Sequence, residues 1–220
     1  MNFFRYDSDF MMGISKVTDY VILNLLCLLF CMPVITAGAS VTATYYVSMK
    51  LVRGEEPNVW KSFYKSFREN WKQSTAIWIL ALAVLAFLAY DWYLLWSTQQ
   101  IGNNPVMNIG LLIVTVVVLF ATISVFPFLA RFQVSTKAAI RNAVWFGMLH
   151  IPQMILVILL YAMTIYICIR YMEWLILAWA VGTGLTLYYS SRMFVKQFAK
   201  LEPKKEEPDS EGENHTEEGL

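Results

Sequence analysis

Hydrophobic residues along this chain gather into six long runs that are separated by shorter polar segments. A helix that crosses a bilayer needs about 20 predominantly apolar residues, because the hydrocarbon core is about 30 Å thick and a helix rises about 1.5 Å per residue. The pattern therefore predicts an all-α fold, a polytopic helical membrane protein. Its predicted transmembrane helices are residues 17–37, 39–52, 74–97, 106–130, 151–169 and 173–192.

The second run is the least certain of the six, since residues 39–52 would rise only about 21 Å as a helix. It is either a short span or a re-entrant segment. Lys and Arg near the ends of spans prefer the cytoplasmic side. Six spans with both termini inside place 16 of the 17 Lys and Arg on that side and leave only Arg170 outside, whereas five spans place 14 there. Six transmembrane helices are therefore preferred, and five are the alternative.

The composition excludes an ordinary soluble domain, because 58% of the residues are hydrophobic and only 15% are charged. Residues 1–200 are expected to form one helical membrane domain. Residues 201–220 are acidic and contain no aromatic residue, which predicts a disordered cytoplasmic tail. Cys27, Cys31 and Cys168 lie inside apolar runs and are expected to pack as small hydrophobic residues. We predict no catalytic, cofactor-binding or metal-binding residue.

A basic insert, residues 53–74, separates two of the apolar runs. On a helix over residues 57–72, its aromatic residues fall within an arc of about 100° and its cations lie along the edge of that arc. This pattern predicts an interfacial amphipathic helix that lies flat on the cytoplasmic side. The helix either anchors the loop among anionic lipid headgroups or docks a partner protein; nucleic acid is not an expected partner. The residues of this predicted surface are Trp60, Lys61, Phe63, Tyr64, Lys65, Phe67, Arg68, Trp71 and Lys72.

Polar residues also occur within the apolar runs, mainly around Pro33 and Gly38. Transporters often place substrate at broken helices, where freed backbone groups line a cavity. A hairpin turn at the outer surface is the alternative interpretation of the same residues. Asp91 lies inside a predicted span, and its aromatic neighbours are typical of a membrane-interface belt. The residues of this predicted polar cavity are Thr36, Ser40, Thr44 and Asp91.

Two stretches carry a family resemblance, PVITAGASVTATYYVSMKLVRGEEP and SFYKSFRENWKQS. Their distinguishing residues are Pro33, Gly38, Tyr45, Tyr46, Arg53, Gly54, Glu55, Phe67, Asn70, Trp71 and Lys72. Over these stretches the chain resembles the YesL family of Gram-positive bacterial integral membrane proteins, a family of unknown function. The resemblance implies a multi-pass protein of the bacterial cell (plasma) membrane that is associated with carbohydrate uptake. It supplies no catalytic or binding residues.

Together these features favour a non-enzymatic accessory or regulatory component associated with carbohydrate uptake. The expected partners are the lipid bilayer with its anionic headgroups and, from the resemblance, subunits of a carbohydrate ABC transporter. A small transporter or channel that acts on its own is the alternative. An enzyme built on Asp91 and His150 is a weaker hypothesis, because these residues form neither a metal-binding pattern nor a catalytic triad in the sequence. The sequence does not indicate an oligomeric state.

Overall fold

The computed structural model describes residues 9–97, 105–132, 134–170 and 175–201, and these ranges contain seven α-helices and no strand. The predicted all-α class is therefore confirmed for this part of the chain. The predicted tail, residues 201–220, lies outside the described residues except for Leu201. The helices are α1 (Asp9–Cys31), α2 (Ala37–Val52), α3 (Val59–Ser97), α4 (Pro105–Arg131), α5 (Thr136–Leu149), α6 (Ile151–Arg170) and α7 (Leu175–Leu201), with a 3₁₀ turn at Val34–Thr36.

α1 and α2 form an antiparallel pair. Pro33 cannot donate a backbone hydrogen bond and disfavours a helical residue before it, so α1 ends just ahead of it. The Ser40 hydroxyl then donates to the Cys27 carbonyl oxygen at 2.9 Å, and the Tyr20 hydroxyl lies 3.2 Å from Ser48 Oγ. From the first contact to the second, the residue number falls on α1, from Cys27 to Tyr20, and rises on α2, from Ser40 to Ser48. This is the relation that an antiparallel pair requires.

The connection from α2 to α3 is a tight turn built on Gly54. Its φ of 78° lies in the left-handed region that glycine adopts most easily, and its N–H donates to the Leu51 carbonyl oxygen. Glu55 pairs with Lys50 at 3.6 Å and with Arg53 at 2.9 Å. These two cations are therefore engaged within the turn.

The longest helix, α3, joins two elements that the sequence predicted to be separate, the interfacial helix 57–72 and the span 74–97. Neither proline nor glycine occurs between residues 59 and 97, so no helix-breaking residue separates the two segments. The Gln73 amide at the predicted boundary donates to the Val134 carbonyl oxygen at 2.8 Å, so the connection between α4 and α5 satisfies its polar side chain. The prediction of two elements is corrected to one helix of 39 residues.

α2 is the central helix of the fold. It packs against α1, α3, α4 and α7. Small residues allow these close approaches, and a Cβ atom added to Gly38 would lie 2.6 Å from Trp78 Cβ and 2.7 Å from the Ser74 carbonyl oxygen. The buried residues of α2 are Gly38, Ala39, Ser40, Thr42, Ala43, Thr44, Tyr45, Val47, Ser48 and Met49.

α5 is a helix that the sequence analysis did not predict. Its buried positions, Ala139, Ala143 and Phe146, recur at the spacing of one helix face. Gly147 brings α5 close to α4, since an added Cβ atom would lie 3.1 Å from Phe120 Cβ. α5 meets α6 at a bend of 94°.

Two helices in the described part of the chain, α3 and α4, are long and apolar enough to cross a membrane. Residues 136–149 and 151–167 would provide a third crossing if this bent pair is a single broken span. The Trp92 indole N–H donates to Thr115 Oγ1 at 3.1 Å and holds α3 against α4. These findings confirm the coarse prediction of several membrane-length apolar helices. Large apolar side chains on the outside of α3 and α4 include Leu80, Phe87, Tyr93, Trp96, Ile109, Leu112 and Ile113.

Candidate docking surface and polar core

The first half of α3 exposes a continuous row of aromatic and cationic side chains, which we call the α3 stripe. At 100° per residue, its members fall within an arc of about 140°. Trp60 is 55% exposed and Tyr64 is 51% exposed, so both rings are available for contact. The α3 stripe consists of Trp60, Lys61, Tyr64, Lys65, Arg68, Trp71 and Lys72.

The opposite face of the same half-helix belongs to the core. Phe63 is only 1% exposed, and Ser66 beside it is also 1% exposed. The Phe30 ring of α1 lies 5.3 Å from the Phe63 ring and 4.9 Å from the Phe67 ring, measured between ring centroids. This corrects the predicted surface, because two of its five aromatic residues pack inside the bundle. The predicted arc therefore includes both core residues and surface residues.

The α3 stripe carries a strong positive charge. Lys61, Lys65, Arg68 and Lys72 are all exposed. Glu69 is the one carboxylate that shares their surface groove, and none of the four cations forms an ion pair with a carboxylate of the described residues. The stripe is therefore suited to contact an acidic surface.

Three of the four residues of the predicted polar cavity already donate their hydroxyl protons to backbone carbonyl oxygens. Thr36 donates to Phe30 at 2.8 Å, Ser40 donates to Cys27 at 2.9 Å, and Thr44 donates to Ser40 at 2.8 Å. The one proton of each hydroxyl group is therefore engaged within the protein.

Asp91 lies apart from this group. Gly38 of α2 approaches Trp78 of α3, and Asp91 is thirteen residues further along α3, a rise of about 20 Å. The structure thus brings three of the four predicted cavity residues to one helix hairpin and leaves Asp91 elsewhere.

A buried polar cluster that the sequence analysis missed joins α2, α6 and α7. The Tyr45 and Tyr161 hydroxyl groups lie 3.1 Å apart, with Tyr45 only 3% exposed. Ser190 is 1% exposed, and its hydroxyl faces both tyrosines without reaching hydrogen-bond geometry with either. No sequence signal pairs two tyrosines 116 positions apart, although Tyr45 belongs to the block that carries the family resemblance.

The tyrosine pair gives a testable expectation about packing. A double-mutant cycle with Tyr45→Phe and Tyr161→Phe is expected to show a coupling of about 0.6 kcal/mol, and at most about 1.7 kcal/mol, as interhelical hydrogen bonds in membrane proteins do. The free energy of unfolding in mixed micelles is the measurement. A coupling of zero would contradict a direct bond between the two hydroxyl groups.

The side chains considered for chemistry have ordinary structural partners. His150 Nδ1 lies 3.0 Å from the Phe146 carbonyl oxygen, and the imidazole stacks on the Phe146 ring at 4.4 Å. Cys27 Sγ and Cys31 Sγ are 3.9 Å apart, one helical turn from each other, and remain free thiols. Within the described ranges, no group of three or more His, Cys, Asp or Glu side chains is placed to hold a metal ion.

Comparison with known proteins gives one match. Residues 20–92 match a family described as a protein of unknown function, DUF624. No curated protein and no solved structure matches the chain. The matched stretch is about a third of the chain and runs from α1 through α2 to Trp92 of α3. Over the central helix and the entire α3 stripe, the chain is thus similar to a family whose function is unknown.

Proposed function

We propose that this chain is a multi-pass protein of the bacterial cell membrane with six transmembrane segments and both termini in the cytoplasm. The apolar exteriors of α3 and α4 support membrane residence. The distribution of Lys and Arg supports the orientation. α1 and α2 either cross the membrane twice or form a re-entrant hairpin. Both arrangements return the chain to the cytoplasm before Arg53, so all later segments have the same orientation in either case.

The length of α3 determines where its stripe lies in this proposal. A helix of 39 residues is about 58 Å long, roughly twice the thickness of the hydrocarbon core. The apolar half, residues 74–97, fills the membrane, and the stripe half extends about 22 Å beyond it. A helix that continues across the bilayer cannot also lie flat on its surface. The stripe therefore stands in the cytoplasm, where another protein can reach it.

The function that follows is docking. We infer that the α3 stripe binds an acidic surface on a partner protein and that the chain is a non-enzymatic accessory component of a membrane assembly. The single observation behind this inference is the division of α3 into a face fixed by Phe63 and a free face of aromatic and cationic side chains. Tyr, Trp and Arg are enriched in protein interfaces. The YesL resemblance supplies the carbohydrate-uptake context, with ABC transporter subunits as the implied partners.

The alternative, a small transporter or channel acting on its own, receives less support from the geometry. Its proposed polar path needs free hydroxyl groups near Thr36, Ser40 and Thr44, and these groups bond to backbone carbonyl oxygens. Flux of labelled oligosaccharides into vesicles that contain only this protein would favour the transporter over the docking proposal.

Photo-crosslinking in native membranes tests the docking proposal. A photoreactive phenylalanine analogue at Tyr64, on the stripe, is expected to capture a protein with an acidic surface in cells grown on inducing carbohydrates. The same analogue at Phe87, which is 64% exposed on the apolar half of α3, is the matched control and should not capture that protein. Equal capture at both positions, or no protein captured at Tyr64, would overturn the proposal.

Charge reversal gives a quantitative prediction for the same surface. Replacing Lys61 and Lys65 with Glu should reduce partner recovery about tenfold, corresponding to about 1.4 kcal/mol, because like charges then face the acidic partner. Lys137→Glu with Arg141→Glu is the matched control, since these exposed cations have the same spacing on α5. Quantitative mass spectrometry of the purified complex is the measurement. Equal losses in the two variants would contradict a specific role for the stripe.

A further inference from the structure

The α3 stripe has a candidate occupant within the same chain. Residues 206–218, which we call the acidic segment, contain seven carboxylates and neither Lys nor Arg. The segment follows α7, which ends at Leu201. Blocks of like charge often act as interaction tails. The seven carboxylates are Glu206, Glu207, Asp209, Glu211, Glu213, Glu217 and Glu218.

The stripe is the cationic surface best matched to this segment. Its four exposed cations lie between Lys61 and Lys72 on one half of α3, opposed only by Glu69. Among the side chains whose exposure the structure describes, α5 and α7 each expose one pair of cations. These pairs are Lys137 with Arg141 and Arg192 with Lys196.

Contacts inside the bundle bring the end of α7 near the stripe. The Phe198 ring lies 5.3 Å from the Phe132 ring. Two residues after Phe132, the Val134 carbonyl oxygen accepts the hydrogen bond from Gln73, which directly follows the last stripe residue. Because bond lengths limit each step of this path, the α-carbon of Leu201 is at most about 35 Å from that of Gln73.

The chain beyond Leu201 is long enough to reach the whole stripe. An extended chain advances about 3.3 to 3.6 Å per residue, so the ten residues to Glu211 span up to about 35 Å. The most distant stripe cation, Lys61, lies about 18 Å from Gln73 along α3. The seventeen residues to Glu218 span up to about 58 Å, so this cation is also within reach.

We propose that the acidic segment occupies the α3 stripe when no partner is bound and thereby regulates docking. The inference rests on the proposed docking function, which places the stripe and the segment together in the cytoplasm. The carboxylates pair with the four cations of the stripe. A tethered segment has an effective concentration of about a millimolar, so even a contact of millimolar affinity keeps a large fraction of the stripe covered.

The segment covers only part of what the stripe offers. It contains no aromatic residue and no Val, Ile, Leu or Met. It therefore neutralises the cations but gives the rings of Trp60, Tyr64 and Trp71 no apolar partner. A protein surface that offers both carboxylates and an apolar contact binds the whole stripe and displaces the segment. An acidic surface without that apolar contact does not, and the competition makes docking selective.

Photo-crosslinking of the purified full-length protein in a non-ionic detergent tests the proposal without a partner. A photoreactive phenylalanine analogue at Tyr64 is expected to crosslink to the acidic segment. Trypsin releases the segment in one peptide, residues 206–220, because these residues contain neither Lys nor Arg. Mixing isotopically light and heavy protein before irradiation distinguishes crosslinks within one chain, which we expect, from crosslinks between chains.

Trp145 is a stringent control position for the analogue. It is 62% exposed on α5, and its neighbour Phe146 contacts Phe198 near the end of α7. Proximity alone therefore favours a crosslink at Trp145, whereas the charge of the stripe favours Tyr64. A yield at Trp145 equal to or above that at Tyr64, or crosslinks mainly between chains, would overturn the proposal.

Charge variants of the segment test the cause of the contact. Replacing Glu206, Glu207, Glu217 and Glu218 with Gln should lower the yield at Tyr64 at least about fourfold, since each exposed ion pair contributes a factor of about 1.4 to 5. Replacing the same four residues with Asp keeps the charge and should leave the yield unchanged. Equal yields from the two variants would contradict an electrostatic contact.

The same two variants in native membranes separate this inference from the docking function. The Gln variant should increase partner capture at Tyr64 severalfold over the Asp variant, because the stripe is then uncovered. Equal capture by both variants would overturn the regulation. A segment crosslink without any captured partner would overturn the docking function, whereas partner capture without a segment crosslink would overturn only the inference made for the segment.

Discussion

Replacing Gly38 with alanine is expected to lower the free energy of unfolding by about 2 to 3 kcal/mol, the upper part of the usual cost of overpacking a tight interior. The added Cβ atom would lie 2.6 Å from Trp78 Cβ and 2.7 Å from the Ser74 carbonyl oxygen. Neither atom is the end of a flexible side chain, so α2 and α3 would have to separate. The gain of up to about 1 kcal/mol that alanine normally brings to a helix is smaller than this cost.

Gly110→Ala is the matched control for this prediction. Gly110 also lies in a helix, but nothing is within 4 Å of an added Cβ atom there. The control should therefore be neutral or stabilising by up to about 1 kcal/mol. Unfolding of both variants is followed by circular dichroism in mixed micelles. If the two substitutions changed stability equally, the close approach of α2 to α3 would be wrong.

Replacing Phe63 with alanine is expected to destabilise the chain by about 3 to 5 kcal/mol, as for a large buried aromatic residue. Phe63 is 1% exposed and contacts the Phe30 and Phe67 rings. Tyr64, its immediate neighbour, is 51% exposed. Tyr64→Ala should therefore change stability by no more than about 0.5 kcal/mol. The same unfolding measurement distinguishes the two faces of α3.

The same two variants should also differ in how much partner protein they recover, for different reasons. Tyr64→Ala should lose partner recovery while it keeps its stability, because its ring lies on the α3 stripe. Phe63→Ala should lose partner recovery only in proportion to the unfolded fraction. Similar stabilities for the two variants would contradict the assignment of Phe63 to the core and of Tyr64 to the surface.

Most of the helical segments can be predicted from the sequence, because runs of about 20 apolar residues have few alternatives to helix. Predicted span 106–130 corresponds to α4, and predicted span 151–169 corresponds to α6. The main error in helix boundaries concerns α3, because the change from polar to apolar residues near Gln73 predicts a break that the helix does not have. A helix requires only that no residue interrupts its hydrogen bonds, and a change of polarity does not do so.

The candidate sites were less predictable, because they depend on which helices become neighbours. The arc from Trp60 to Trp71 is visible in the sequence, but the position of Phe30 decides that Phe63 and Phe67 point inward. Ser190 lies among tyrosine and serine residues near the end of predicted span 173–192. Its interest as a buried hydroxyl arises only once α6 and α7 are in place.

The most direct test of the central claim, that α3 crosses the membrane and keeps its stripe in the cytoplasm, is cysteine labelling at its two ends. Lys61→Cys and Trp96→Cys are separated by a rise of about 52 Å, more than the full thickness of a bilayer with its headgroups. They are introduced singly after Cys27, Cys31 and Cys168 are replaced with serine. A membrane-impermeant maleimide applied to intact cells should label Trp96→Cys, and it should label Lys61→Cys only after the membrane is permeabilised. Labelling of both positions in intact cells would contradict the account.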